Sequence, residues 1–183
     1  MAQPSQPSSP ASRSAPFIVT AELPPDLLAW ADALRRAHYP PERNKLAAHV
    51  TLFHSFAPSL REELPRVLAA MAAEFASPEA SLDGVMDLGS GTALAVRSPA
   101  MLAVRAAIAE HFHGMLTAQD RHEPRLHITI QNKVSRAEAK ALQAQLAAEL
   151  KPRRFGFSGL GLHLYRETHW ERVGRWPFRG RAG

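Results

Sequence analysis

The stretch His49-Val50-Thr51-Leu52-Phe53 has a near-copy at His127-Ile128-Thr129-Ile130-Gln131, and this pair decides how the chain is read. In each, polar and apolar residues alternate, the period of a strand with one buried face. By that rule His49, Thr51 and Phe53 share one side of the first strand, with Val50 and Leu52 on the other. In the second, His127, Thr129 and Gln131 stand opposite Leu126, Ile128 and Ile130. The apolar sides belong against helices, so each strand offers one imidazole and one hydroxyl on its open side. His54, next in line, falls on the core side and reads as structural.

Upstream of each copy the same order of residues recurs. FIVTAEL at 17–23 reads as a strand, Pro24-Pro25 as the start of a helix, and Leu27, Leu28, Trp30, Ala31 and Leu34 as that helix's apolar stripe. Before the second copy, TALAVRS at 92–98 is followed by Pro99 and a stripe of Met101, Leu102, Val104 and Ile108. Pro25 aligns with Pro99 and His49 with His127, the two offsets differing by only a few loop residues. Further helices are expected at about 59–75 and 135–150, which makes β-α-β-α twice over. Between the halves, SLDGVMDLGSG at 81–91 predicts a strand and a Gly-rich turn. FGFSGLGLHLYRETHWERVGRWPF at 155–178 predicts two or three short antiparallel strands.

The expected architecture is α+β: two similar lobes, roughly 17–80 and 90–150, whose small antiparallel sheets face a central cleft with helices outside. Strands at 154–178 widen those sheets, and the whole of 17–178 is one domain of ordinary size. Residues 1–16, rich in Ser, Pro and Ala, lack the large apolar groups that offset ordering and are expected to be a disordered tail; 179–183 is a short second tail.

Composition narrows the function. There is no cysteine, so neither a disulfide framework nor a thiolate zinc site is open to this chain. No apolar run reaches the ~20 residues of a membrane span, and 1–16 has no apolar signal core, so no membrane partner is expected and a cytoplasmic location is. The net charge of +5 favours polyanionic partners. Its arginines, Arg35, Arg36, Arg43, Arg121, Arg125, Arg153 and Arg154 among them, form no long run, which suits a folded surface or cleft better than a basic tail.

Two imidazoles that flank one point can hold a phosphate between them. With a pKa near 6.5, one can be neutral and take a proton while the other, charged, gives one, and Thr51 and Thr129 can hydrogen-bond the non-bridging oxygens. Such a site uses no metal and no cofactor. His111, His113 and His122 include no helical His-Glu-x-x-His pair, and a metal cluster there is rejected. Gly114 reads as the cap of the helix that ends at His111-Phe112-His113.

On the motifs HVTLF and HITIQ, with strand-proline-helix units before each, the chain resembles the two-histidine phosphoesterase superfamily, near its 2′-5′ RNA ligase-like and RNA 2′,3′-cyclic phosphodiesterase branch. The resemblance covers about 17–178. It implies catalytic roles for His49 and His127, phosphate contacts from Thr51 and Thr129, and no metal. The implied activity is hydrolysis of RNA or nucleoside 2′,3′-cyclic phosphates to 2′-phosphates, and the protein is expected to be a monomer. RNA ligation at a 5′-hydroxyl, a non-catalytic RNA-binding module, and action on a small cyclic nucleotide derivative remain open alternatives. Arg43, Lys45 and Arg125, with Arg121, lie beside the motifs and could steer a phosphate; Phe53, Tyr165 and Trp170 could stack on a base; Gln131 could line the cleft mouth.

Overall fold

The computed structural model describes residues 15–181. The expected tail at 1–16 therefore lies outside the described residues except for Ala15 and Pro16, as do residues 182–183 of the second tail. Among the described residues four α-helices and eight strands follow one another: β1 (Phe17–Glu22), α1 (Pro25–His38), β2 (Val50–Phe56), α2 (Glu63–Glu74), β3 (Glu79–Asp87), β4 (Gly91–Arg97), α3 (Pro99–His111), β5 (His127–Asn132), α4 (Arg136–Glu149), β6 (Arg153–Gly156), β7 (Gly159–Arg166) and β8 (His169–Pro177). Each start has a local cause. Proline opens α1 and α3, Ser98 Oγ accepts from Met101 N at the head of α3, and Ser135 with Glu138 forms a capping box at the head of α4. Gly114 takes the left-handed conformation, φ +81°, just beyond α3.

All strand pairing is antiparallel, in two four-stranded sheets ordered β2-β1-β7-β8 and β5-β4-β3-β6. The duplicated part of the sequence supplies β1, β2, β4 and β5. The remaining strands complete both sheets alike: β7 and β8 extend the first beyond β1, while β3 and β6 extend the second beyond β4. The second tail begins later than expected, because Arg179 N and Gly180 N donate to Ala72 and Phe75 carbonyls at the end of α2.

The sequence repeat leaves open which sheet each helix covers. α1 packs against β5 of the second sheet, and Asp26 near its start pairs with Arg153 of β6. α3 packs beside α2, where Phe112 meets the Phe56 ring of β2 and His111 Nε2 lies 2.8 Å from Glu63. α1 thus covers the other lobe's sheet, whereas α3 lies beside α2 and β3 of its own sheet and reaches β2 through the Arg105 side chain, and the buried side chains form one continuous core running through both. An apolar stripe requires a sheet to cover but does not say which one.

Alternation also fails at one matching place in both motif strands, and β2 has a further register shift between Phe53 and Phe56. Thr51 pairs with Thr20 but Phe53 with Val19, so Leu52 is an extra residue; Thr129 pairs with Ala93 but Gln131 with Thr92, so Ile130 is extra. These are β-bulges at matching positions. Each flips the residues after it, which puts Leu52 with Phe53, and Ile130 with Gln131, into the interior.

Candidate active site

β2 and β5 are edge strands of their sheets, and they approach within 8 Å of each other between Cα atoms. His49 stands immediately before β2 and His127 is the first residue of β5. Both are held in the same way: His49 Nδ1 lies 2.8 Å from Ala47 O, and His127 Nδ1 lies 2.7 Å from Arg125 O. A carbonyl can only accept, so each Nδ1 carries the hydrogen and each neutral ring keeps Nε2 as its basic lone pair. The carbonyl two residues back fixes the tautomer in both copies. Thr51 and Thr129 are half-buried on the same strands, on the side away from the core.

A pair of buried arginines ties each motif strand to a helix of the other lobe. Arg35 of α1 is 4% exposed, and its Nη1 donates to Thr129 O at 2.6 Å while Nη2 donates to Asn44 Oδ1 at 2.9 Å. Arg105 of α3 is 5% exposed; its Nε donates to Leu52 O at 3.1 Å and its Nη2 to His122 O at 3.0 Å and to Asp120 O. Each guanidinium lies over an aromatic ring at 4.5 Å, Arg35 over Tyr39 and Arg105 over Phe53. A bulge disturbs the sheet ladder, and at each one an arginine from the opposite lobe's helix bonds a carbonyl.

Around His49 the site is enclosed. Glu22, Lys45, His163, Trp170 and Arg172 line a cavity of about 190 Å³ beside it, with an apolar wall of Leu23, Leu28 and Leu46. The Trp170 ring sits 4.8 Å from the His49 ring and 5.6 Å from that of His163. Burial pushes the His49 imidazole down to about 4; the Ala47 carbonyl and Glu22 oppose this, while Arg35 and His163 add to it. Burial alone would raise the Glu22 carboxyl, but His163, Arg172 and the Thr20 hydroxyl outweigh it and hold it at about 2. Thr20 Oγ1 donates to Glu22 Oε1 at 3.1 Å, so at the 3.1 Å contact between Thr20 and His163 the ring Nε2 donates. Gly161 makes room for this group: a Cβ there would overlap Glu22 Oε1 and lie 2.6 Å from Thr20 Oγ1 and 3.0 Å from His163 Nε2.

Of the other residues singled out from sequence, Phe53 and Gln131 leave the open face. Phe53 is fully buried, and Gln131 is 6% exposed with its Oε1 accepting from Thr92 Oγ1 at 3.3 Å; the bulges turn both inward, off the open face where they were expected. Lys45 is exposed at the rim of the His49 cavity, Arg43 is exposed on the preceding loop, and Arg125 is exposed beside His127. Tyr165 is 44% exposed on β7 opposite Trp170 of β8. His54 is exposed instead of core-facing, and its Nδ1 lies 3.0 Å from Asp120, a carboxylate that also accepts from His54 N and Ser55 N. Glu22, His163, Arg35, Arg105 and Asp120 went unrecognised. For the arginines a signal existed: Arg35 continues the 27-31 stripe at a spacing of four, and Arg105 lies between Met101 and Ile108 on the other.

The fold is similar to that of several solved structures. TT0787 of Thermus thermophilus superposes with a TM-score of 0.62 at 12% identity, over 91% of this chain and 100% of that one. LigT of Escherichia coli, solved in complex with 3′-AMP, superposes with a TM-score of 0.57 at 18% identity, over 90% and 98%. No curated protein matches the sequence. The profile of the 2′-5′ RNA ligase superfamily matches residues 23–169, and the chain belongs to that superfamily of two-histidine phosphoesterases.

Proposed function

We propose that this protein is a monomeric, metal-independent phosphodiesterase that opens 2′,3′-cyclic phosphates of RNA ends or nucleosides to 2′-phosphates. The observation that carries the reading is the doubled geometry of His49 and His127, each with Nδ1–H tied to the carbonyl two residues back and Nε2 left for chemistry. Superfamily membership and the fold shared with LigT, solved with 3′-AMP, support a nucleotide substrate. His49, which its burial keeps neutral, takes a proton from water as the oxygen bonds to phosphorus. The bond to the 3′ oxygen breaks, and His127, protonated on both nitrogens, gives that oxygen its Nε2 proton. Thr51 and Thr129 hydrogen-bond the non-bridging oxygens, where charge builds in the transition state.

The test is incubation of purified protein with the four nucleoside 2′,3′-cyclic phosphates in EDTA, with chromatography that separates 2′- from 3′-phosphates. Turnover to 2′-phosphates is expected. No turnover, a 3′-phosphate product, or loss of activity in EDTA would overturn the proposal. Joining of cleaved RNA halves under the same conditions would instead mark the same chemistry run with a 5′-hydroxyl in place of water.

A further inference from the structure

Ala95 pairs with His127 across β4 and β5, and the hydrogen bond from Val96 N to Leu126 O carries that ladder one step further. Arg97 therefore stands opposite Arg125, two residues from His127 and on its face of the sheet. Ser81 is the partner of Arg97 on one side and of Arg154 on the other. Arg125, Arg97, Ser81 and Arg154 thus form one rank across the second sheet, starting beside His127, with strands ~4.8 Å apart.

All three arginines are exposed, and none has an acidic partner among the described residues. Like charges set opposite one another across strands repel, and no ion pair among the described residues offsets that. The matching part of the first sheet differs: there Arg172 and Arg175 of β8 both lie within 4 Å of Glu22. Beyond Arg97 the rank opens into a groove of about 720 Å³ lined by Ser77, Ser81, Arg97, Pro99 and Arg154. Glu79 also lines it, two residues along β3 from Ser81 and on the same face.

We infer that this rank is a binding site for the sugar-phosphate backbone of single-stranded RNA, so that the substrate is an oligonucleotide whose last, cyclic phosphate sits at the histidines. The inference rests on the function proposed above but concerns a separate surface. Arginine forks match phosphate oxygens, and a row of them reads backbone without sequence. The rank lies outside the group that reacts, so it affects only substrates long enough to reach it.

The experiment compares Arg97→Ala and Arg154→Ala with the unaltered protein on two substrates across a salt series: an RNA octamer ending in a 2′,3′-cyclic phosphate, and a nucleoside 2′,3′-cyclic phosphate. Each variant should lose several-fold in kcat/KM on the octamer at low salt and leave the nucleoside value unchanged. Each should also make the slope of log affinity for the octamer against log salt shallower by about 0.7, one fewer phosphate neutralised on a single strand. Equal effects on both substrates, or an unchanged slope, would overturn the site. Anisotropy of a labelled octamer with a 3′-hydroxyl end reads the surface even if no hydrolysis occurs. In that assay, binding that depends on Arg97 and Arg154 upholds the surface while the proposed activity falls, and binding indifferent to both removes the surface.

Discussion

Replacing Arg35 by methionine keeps the buried stem and removes the fork that spans the two lobes. The two charge-assisted hydrogen bonds lost, to Thr129 O and Asn44 Oδ1, contribute roughly 1.5 to 3 kcal/mol each. Against this stands relief of the cost of burying a guanidinium, whose Nε has no partner. The balance is a loss of about 2 to 4 kcal/mol, which in a chain of this size lowers Tm by roughly 5 to 15 °C. Arg105→Met, which frees the carbonyls of Leu52, Asp120 and His122, should fall in the same range. Urea and thermal unfolding followed by circular dichroism supply the numbers. If Arg35→Met melts within about a degree of the unaltered protein, the guanidinium does not hold the lobes and the interlock argument is wrong.

Four further outcomes follow from the site. His49 has its folded pKa pushed below the unfolded value, so protonation favours the unfolded chain. Stability should fall as pH drops from about 6.5 toward 4, and His49→Gln should flatten that slope in urea titrations taken across the window. The acid limb of kcat/KM, which reports the free enzyme, should lie near 4 instead of near 6.5, and the NMR titration of His49 should agree. Asp120→Ala should destabilise by about 3 kcal/mol, because backbone N–H groups of His54 and Ser55 lose their acceptor, while His54→Ala should cost under about 1 kcal/mol; equal costs in denaturant titration would contradict this reading. Gly161→Ala should cost about 1 to 3 kcal/mol and raise KM by displacing Glu22 and His163 beside His49, and a silent substitution would show that the group is not close-packed.

Much of this was readable in the sequence. The proline-led helices, the alternation of strands and helices along each half and the paired His-x-Thr motifs all come from spacing and from residues with fixed local preferences. Neither bulge announced itself, since Leu52 and Ile130 are ordinary strand residues and nothing like a glycine or proline marks the extra position. Strict alternation therefore sent Phe53 and Gln131 to the wrong face and His54 to the core. The packing of α1 on the second sheet was hidden because an apolar stripe is satisfied equally by either sheet. Arg35 was read as surface charge, although its place on that stripe marks it for burial. The Glu22-Thr20-His163 group depends on β1 and β7 becoming neighbours, a pairing between residues far apart in the chain that no local pattern encodes.

The central claim is that His49 and His127 act as one catalytic unit. Single-turnover rates on a nucleoside 2′,3′-cyclic phosphate, measured for His49→Ala, His127→Ala and the double variant with folding checked by circular dichroism, test it most directly. Each single variant should lose on the order of 10²-fold or more, and the double variant should be little worse than either. A folded single variant that keeps near-normal rate, or a double variant whose loss is the product of the two singles, would contradict it.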